Sequence, residues 1–155
     1  MTPKKILIVE DCPDVLELLA EALTLLGWET ILAENGWEMR DKLESETPNV
    51  IFLNMRSPVT HGIQLAASVK AHPAYKNIPI LAASRNSPTL SRERCQELGI
   101  DGFIDKPLVL PELEMRLTNI MSAQRQKIIK ATDPAKLESK RRERASRSAA
   151  SRSEV

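Results

Sequence analysis

The sequence predicts a doubly wound α/β fold: a five-stranded parallel sheet of order 2-1-3-4-5 with helices on both faces. Three observations carry that prediction. Within the first 124 residues, short apolar runs alternate five times with segments of helical periodicity. The short runs are continuously apolar rather than alternating in polarity, as strands covered on both faces are. At 155 residues the chain has room for one domain and a tail, not for two domains. Right-handed crossovers then place the helices on either side of one sheet, and five such units favour the 2-1-3-4-5 order.

Each element has its own signal. Ile6-Leu7-Ile8-Val9 reads as the first strand. Pro13 sits where a first-turn proline is tolerated, and Val15, Leu19, Ala22, Leu23 and Leu26 form a helical stripe that Gly27 terminates. Thr30-Ile31-Leu32-Ala33 is the second strand, followed by a helix over about 36–46; Val50-Ile51-Phe52-Leu53 is the third, followed by a helix over about 62–71. A fourth strand spans 78–83, with a helix over about 89–98, and Gly102-Phe103-Ile104 is a short fifth. The last helix starts at Leu110 and runs at least to Met121, with Leu113, Leu117, Ile120 and Met121 as its stripe. This pattern fades by Ile128-Ile129, which divides the chain into a domain over 1–124 and a C-terminal extension over 125–155.

Composition narrows the function classes. Aromatic residues are only 3%, so the core must be aliphatic. No run of 18 apolar residues occurs and the N-terminus lacks the pattern of a secretory signal, from which a cytoplasmic protein with no membrane contact is expected. Cys12 and Cys95 are far apart with no Cys/His cluster, which suggests neither a disulfide framework nor a zinc site. Charge is unevenly distributed: 1–124 carries 12 Lys/Arg against 17 Asp/Glu, whereas 125–155 carries 10 against 4. The basic extension has almost no large apolar side chain beyond 132, so a mobile tail is expected. Its Lys/Arg block raises a nucleic-acid reading. Without interleaved aromatics or a recognition motif, and beside an acidic body, a solvated tail is preferred over a nucleic-acid arm.

In open parallel sheets, ligands bind beyond the carboxyl ends of the strands where strand order reverses. Those ends carry Glu10-Asp11 after strand one, Asn54 after strand three, Ser84 after strand four and Lys106-Pro107 just past strand five. An acidic pair, a carboxamide, a hydroxyl and an ammonium thus converge from distant parts of the chain. Clustered carboxylates suit a hard, oxygen-ligated cation. Taken singly, each has a bland reading: Glu10-Asp11 as helix cap, Ser84 as turn residue, Lys106 as solvated lysine, Phe103 as core. His61 and His72 lie at no metal-ligand spacing and read as ordinary loop or surface residues.

The stretches ILIVED (6–11), VIFLNMRSPVTHG (50–62), PILAAS (79–84) and GIDGFIDKP (99–107) resemble, in order and spacing, the receiver domain of two-component response regulators, over residues 4 to about 124. The resemblance implies a flavodoxin-like receiver fold and a stand-alone signalling protein, similar to chemotaxis regulators, rather than an enzyme. It implies that Glu10, Asp11, the residue at 54 and the backbone carbonyl of Arg56 organise Mg2+, that the residue at 54 takes a phosphoryl group, and that Ser84 and Lys106 contact that group. Ser84 and Phe103 would be the switch residues. Upstream, the implied partner is a histidine kinase or histidine phosphotransfer protein. Downstream, it is a protein docked on the face of helix four, strand five and helix five, with a homodimer left open. Where the family has aspartate, this chain has Asn54, which lacks the anionic oxygen needed to attack phosphorus and removes one charge from the Mg2+ site. Asn54 is then either an engineered block of an ordinary phosphoacceptor or the mark of a pseudo-receiver that acts without phosphorylation. A small flavin protein is disfavoured, because the turn Glu10-Asp11-Cys12-Pro13 is acidic where a phosphate loop is needed.

Overall fold

The computed structural model describes residues 3–55, 61–85 and 92–153. In chain order the elements are β1 (Lys5–Val9), α1 (Pro13–Leu25), β2 (Glu29–Ala33), α2 (Gly36–Ser45), β3 (Val50–Asn54) and α3 (Gly62–Ala71), followed by β4 (Ile80–Ser84), α4 (Arg92–Glu97), β5 (Gly102–Asp105), α5 (Leu110–Ala131) and α6 (Pro134–Ser153). All neighbouring strands pair in parallel, in the order β2-β1-β3-β4-β5. Every residue of β3 and β4 is buried, whereas the edge strands β2 and β5 each expose part of their length. Inner strands covered on both faces read as hydrophobic runs, here broken only by the polar residues Asn54 and Ser84 at their carboxyl ends.

Local chemistry sets the turns. Gly27 ends α1 with a φ of 94°, and the bonds Gly27 N–H to Thr24 O (3.0 Å) and Trp28 N–H to Leu23 O (3.0 Å) complete a Schellman motif. Asn35 caps α2 by accepting from Glu38 N–H at 2.9 Å, while the Glu38 carboxylate accepts from Glu34 N–H at 2.6 Å. At the start of α3, Gly62 lies against the backbone of Met55, and a Cβ there would collide with it. That close approach seats α3 on the carboxyl end of β3.

Two expectations are corrected. In α1 the buried positions are Leu16, Leu19 and Leu23, while Val15 is 37% exposed. A register of 16, 19 and 23 places the larger leucines together on one face, so they take the core in preference to the β-branched Val15. The second correction concerns 134–153, expected as a mobile tail and found as the 20-residue helix α6. Pro134 occupies its first turn, Asp133 Oδ1 accepts from Ala135 N–H at 3.1 Å, and Glu138 pairs with Arg142 at 3.0 Å. Ala, Lys, Arg and Glu are strong helix formers, so local propensity supplies what burial does not. α4 is described from Arg92 onward, 86–91 being outside the described residues, and α5 continues to Ala131. The chain forms two compact units, Met1–Ile120 and Met121–Val155, the second holding the end of α5 and all of α6.

Candidate functional site

The strand register brings the site together. Val9 of β1 lies beside Leu53 of β3, so Glu10 and Asn54 leave the sheet as neighbours. Asn54 pairs with Ala83 and Ser84 with Asp105, which sets Ser84 and Lys106 along the same carboxyl edge. Among the described residues, Glu10 (3% exposed), Asn54 (4%) and Ser84 (1%) are the buried polar side chains. Polar groups in so apolar a sheet require partners.

Asn54 finds them in every direction. Its Nδ2 donates to Glu10 Oε1 at 3.2 Å and to Asp11 Oδ1 at 3.4 Å, and its Oδ1 accepts from Lys106 Nζ at 3.2 Å. An ammonium on one side and two carboxylates on the other leave the amide a single sensible orientation. Lys106 Nζ also lies 3.9 Å from Glu10 Oε2, an oxygen that is buried without a hydrogen bond. The Cys12 backbone N–H donates to Glu10 Oε1 at 3.3 Å. Burial is the main cause that pushes the Glu10 carboxyl above its ordinary value of 4.5; the Asp11 side chain adds to the rise, and Cys12 N–H and Lys106 oppose it.

Of the residues singled out from sequence, Glu10, Asp11, Asn54 and Lys106 are within direct reach of one another. Ser84 shares the edge, but its Oγ donates to the Arg85 carbonyl at 2.8 Å. Phe103 lies on β5, half-buried against the core. It lines a cavity of about 220 Å³ with Cys95, Ile100, Asp101, Gly102 and Arg116, drawn from α4, β5 and α5. Arg56 lies outside the described residues. Sequence reading missed the Cys12 amide, because a backbone donor leaves no side-chain signature. It also missed Asp101, whose Oδ2 accepts from Ile80 N–H at 2.9 Å and pairs with Lys70 at 3.0 Å.

The donor set fits a divalent cation in part. Glu10 Oε2 is an orphaned, buried anionic oxygen of the kind such an ion satisfies, and Asp11 adds a second carboxylate. The third group, Asn54, turns its NH2 toward both carboxylates and its only acceptor toward Lys106. Among the described residues no group of three His, Cys, Asp or Glu side chains could hold a metal.

Residues 6–118 match the family model of the response regulator receiver domain. The chain belongs to this family. Over 121 residues this receiver is 32% identical to the phosphate regulon transcriptional regulatory protein PhoB of Pseudomonas aeruginosa, covering 78% of the chain and 53% of PhoB. It therefore spans about half the length of that relative. With the polar-differentiation response regulator DivK of Brucella anthropi it shares 28% identity over 109 residues, covering 70% of the chain and 89% of DivK. The receiver domain of a sensor histidine kinase from Pseudomonas aeruginosa superposes with a TM-score of 0.69 at 26% identity, over 78% of this chain and 99% of that one; its crystal structure has a magnesium ion coordinated in the active-site cleft. Receiver domains are signalling modules of two-component systems. Among the described residues, no helix of this one is long and apolar enough to cross a membrane.

Proposed function

We propose that this receiver signals by docking to other proteins, with Asn54 in the phosphoacceptor's place and no phosphoryl transfer to it. The observation that carries this reading is the hydrogen-bonded carboxamide between Glu10, Asp11 and Lys106. Attack on phosphorus needs an anionic oxygen held in line, and an amide oxygen committed to Lys106 is neither anionic nor free to advance. Glu10, Asp11 and the Arg56 carbonyl would hold Mg2+, which when bound offsets charge on phosphate oxygens. To ligate that ion through Oδ1, Asn54 must turn its NH2 onto the Lys106 ammonium, so binding is weakened.

Ser84 and Phe103 are the proposed switch residues. The upstream partner is a histidine kinase or histidine phosphotransfer protein, and the downstream protein docks on the face of α4, β5 and α5. The cavity beside Phe103, lined from all three elements, supports that placement. A second reading, an interaction module whose unphosphorylated form signals, is favoured by the same network: the amide gives the carboxylates donors without phosphate or metal.

The test is intact-mass measurement after incubation with acetyl phosphate and Mg2+. The chain as it stands is expected to gain no phosphoryl group, and Asn54→Asp to gain one only when Mg2+ is present. In thermal melts, Mg2+ should raise the Tm of the Asp variant more than that of the parent. Phosphorylation of the parent at position 54, or an Asp variant that stays unlabelled, overturns the assignment.

A further inference from the structure

We propose that α6 is a binding arm for the phosphate backbone of duplex DNA. Over 134–153 the helix carries seven Lys/Arg against two Glu. A mobile tail would spread those charges in all directions, but a helix sorts them. Lys136, Lys140, Arg144 and Arg147 follow one another at steps of four, four and three, so they fall within an arc of about 80° and along about 16 Å of helix. All four are exposed, and none forms an ion pair with a carboxylate among the described residues. Glu138 is turned to Arg142, at 3.0 Å, on the opposite side of the helix, while Glu143 borders the stripe, about 20° outside Lys136.

The geometry points to a linear polyanion. Duplex DNA presents a charge about every 1.7 Å along its axis, so a stripe of this length faces several phosphates at once, and counterion release drives the contact. The face away from the stripe is built from Ala135, Ser139, Ala145, Ser146 and Ala149 beside the Glu138–Arg142 pair, with Arg141 and Arg152 along its border. The DNA major groove is wide enough to admit a helix, so the stripe can lie along its phosphate rim, whereas the major groove of double-stranded RNA is too narrow. Rival surfaces fit less well. Leu137 is the only large apolar side chain of α6, so it lacks both the aromatic or aliphatic anchors of a protein interface and the apolar face by which a helix beds into a membrane. The domain over 1–124, with 12 Lys/Arg against 17 Asp/Glu, repels DNA, which confines the contact to the arm. This placement is independent of the chemistry at Asn54.

The test is fluorescence anisotropy of a labelled 20-base-pair duplex with the full chain, at 50 and 200 mM salt. Four phosphate contacts predict roughly a hundredfold loss of affinity between the two salts. The variant K136A/K140A/R144A/R147A should lose binding at 50 mM salt, with an unchanged circular dichroism spectrum because alanine preserves the helix. Arg142→Ala, on the other side, should bind within about threefold of the parent. No binding by the parent at 50 mM, equal binding by the quadruple variant, or tighter binding to double-stranded RNA or to anionic vesicles overturns the proposal. So does sedimentation showing that the four cations serve only self-association.

Discussion

Glu10 is held almost wholly out of water with one oxygen bonded and the other not. Because its folded carboxyl titrates above 4.5, the folded chain binds that proton more tightly than the unfolded chain does. The stability it contributes is therefore present below pH 4.5 and lost as pH rises through the raised value. Replacing Glu10→Gln removes this dependence. The Tm of the parent, measured without Mg2+ against that of the Gln variant, should fall relative to it between pH 4.5 and 8. A gap that stays constant, or moves in the parent's favour, contradicts the burial account. Asn54 acts in the other direction, since its NH2 answers two carboxylates and its carbonyl answers Lys106, relieving like-charge repulsion that a third carboxylate would add.

Among the elements, α1 shows how a helix is seated by packing against the sheet. Leu16, Leu19 and Leu23 are buried while Leu18 (67%) and Leu25 (86%) are exposed, so composition alone does not reveal the inward face. Truncation should separate the two sides. Leu16→Ala should cost about 2–5 kcal/mol by cavity formation, and Val15→Ala, one position away, less than about 1 kcal/mol. Urea unfolding of both variants checks this, and equal losses would mean the helix is rotated from the face described. α4, β5 and α5 are also knit from within: Cys95 of α4 is buried, which pushes its thiol pKa up and leaves it a packing group, and a Cβ at Gly102 of β5 would press on Ile120 of α5.

For the molecule as a whole, the division is between a unit that buries an aliphatic core and a unit that does not. Leu113, Leu117 and Ile120 are buried positions of α5, and no described residue from 125 to 150 is buried. A chain stopped after Thr132 loses α6 and no core side chain. Its Tm should lie within about 2 °C of the parent's, and a larger drop measured by calorimetry would show that α6 stabilises the rest. Charge divides along similar lines, acidic over 1–124 and basic beyond, which separates a surface suited to protein docking from one suited to a polyanion.

The parallel sheet and its order were legible in the chain because the buried stretches 50–53 and 80–83 leave unbroken apolar runs, and handed crossovers leave few ways to arrange them. Convergence of Glu10, Asp11, Asn54 and Lys106 was legible for the same reason: residues at the carboxyl ends of adjacent parallel strands share an edge whatever their sequence distance. The inward face of α1 was not, since leucines occupy both sides and only packing against the sheet selects among them. Nor was the helix of 134–153, which carries no apolar stripe and rests instead on a cap, an i,i+4 pair and favourable propensity. Above all, a sequence names a carboxamide at 54 without saying which way it points. That orientation follows from an ammonium and two carboxylates arriving from β5, β1 and their loops, and three-dimensional proximity alone supplies them.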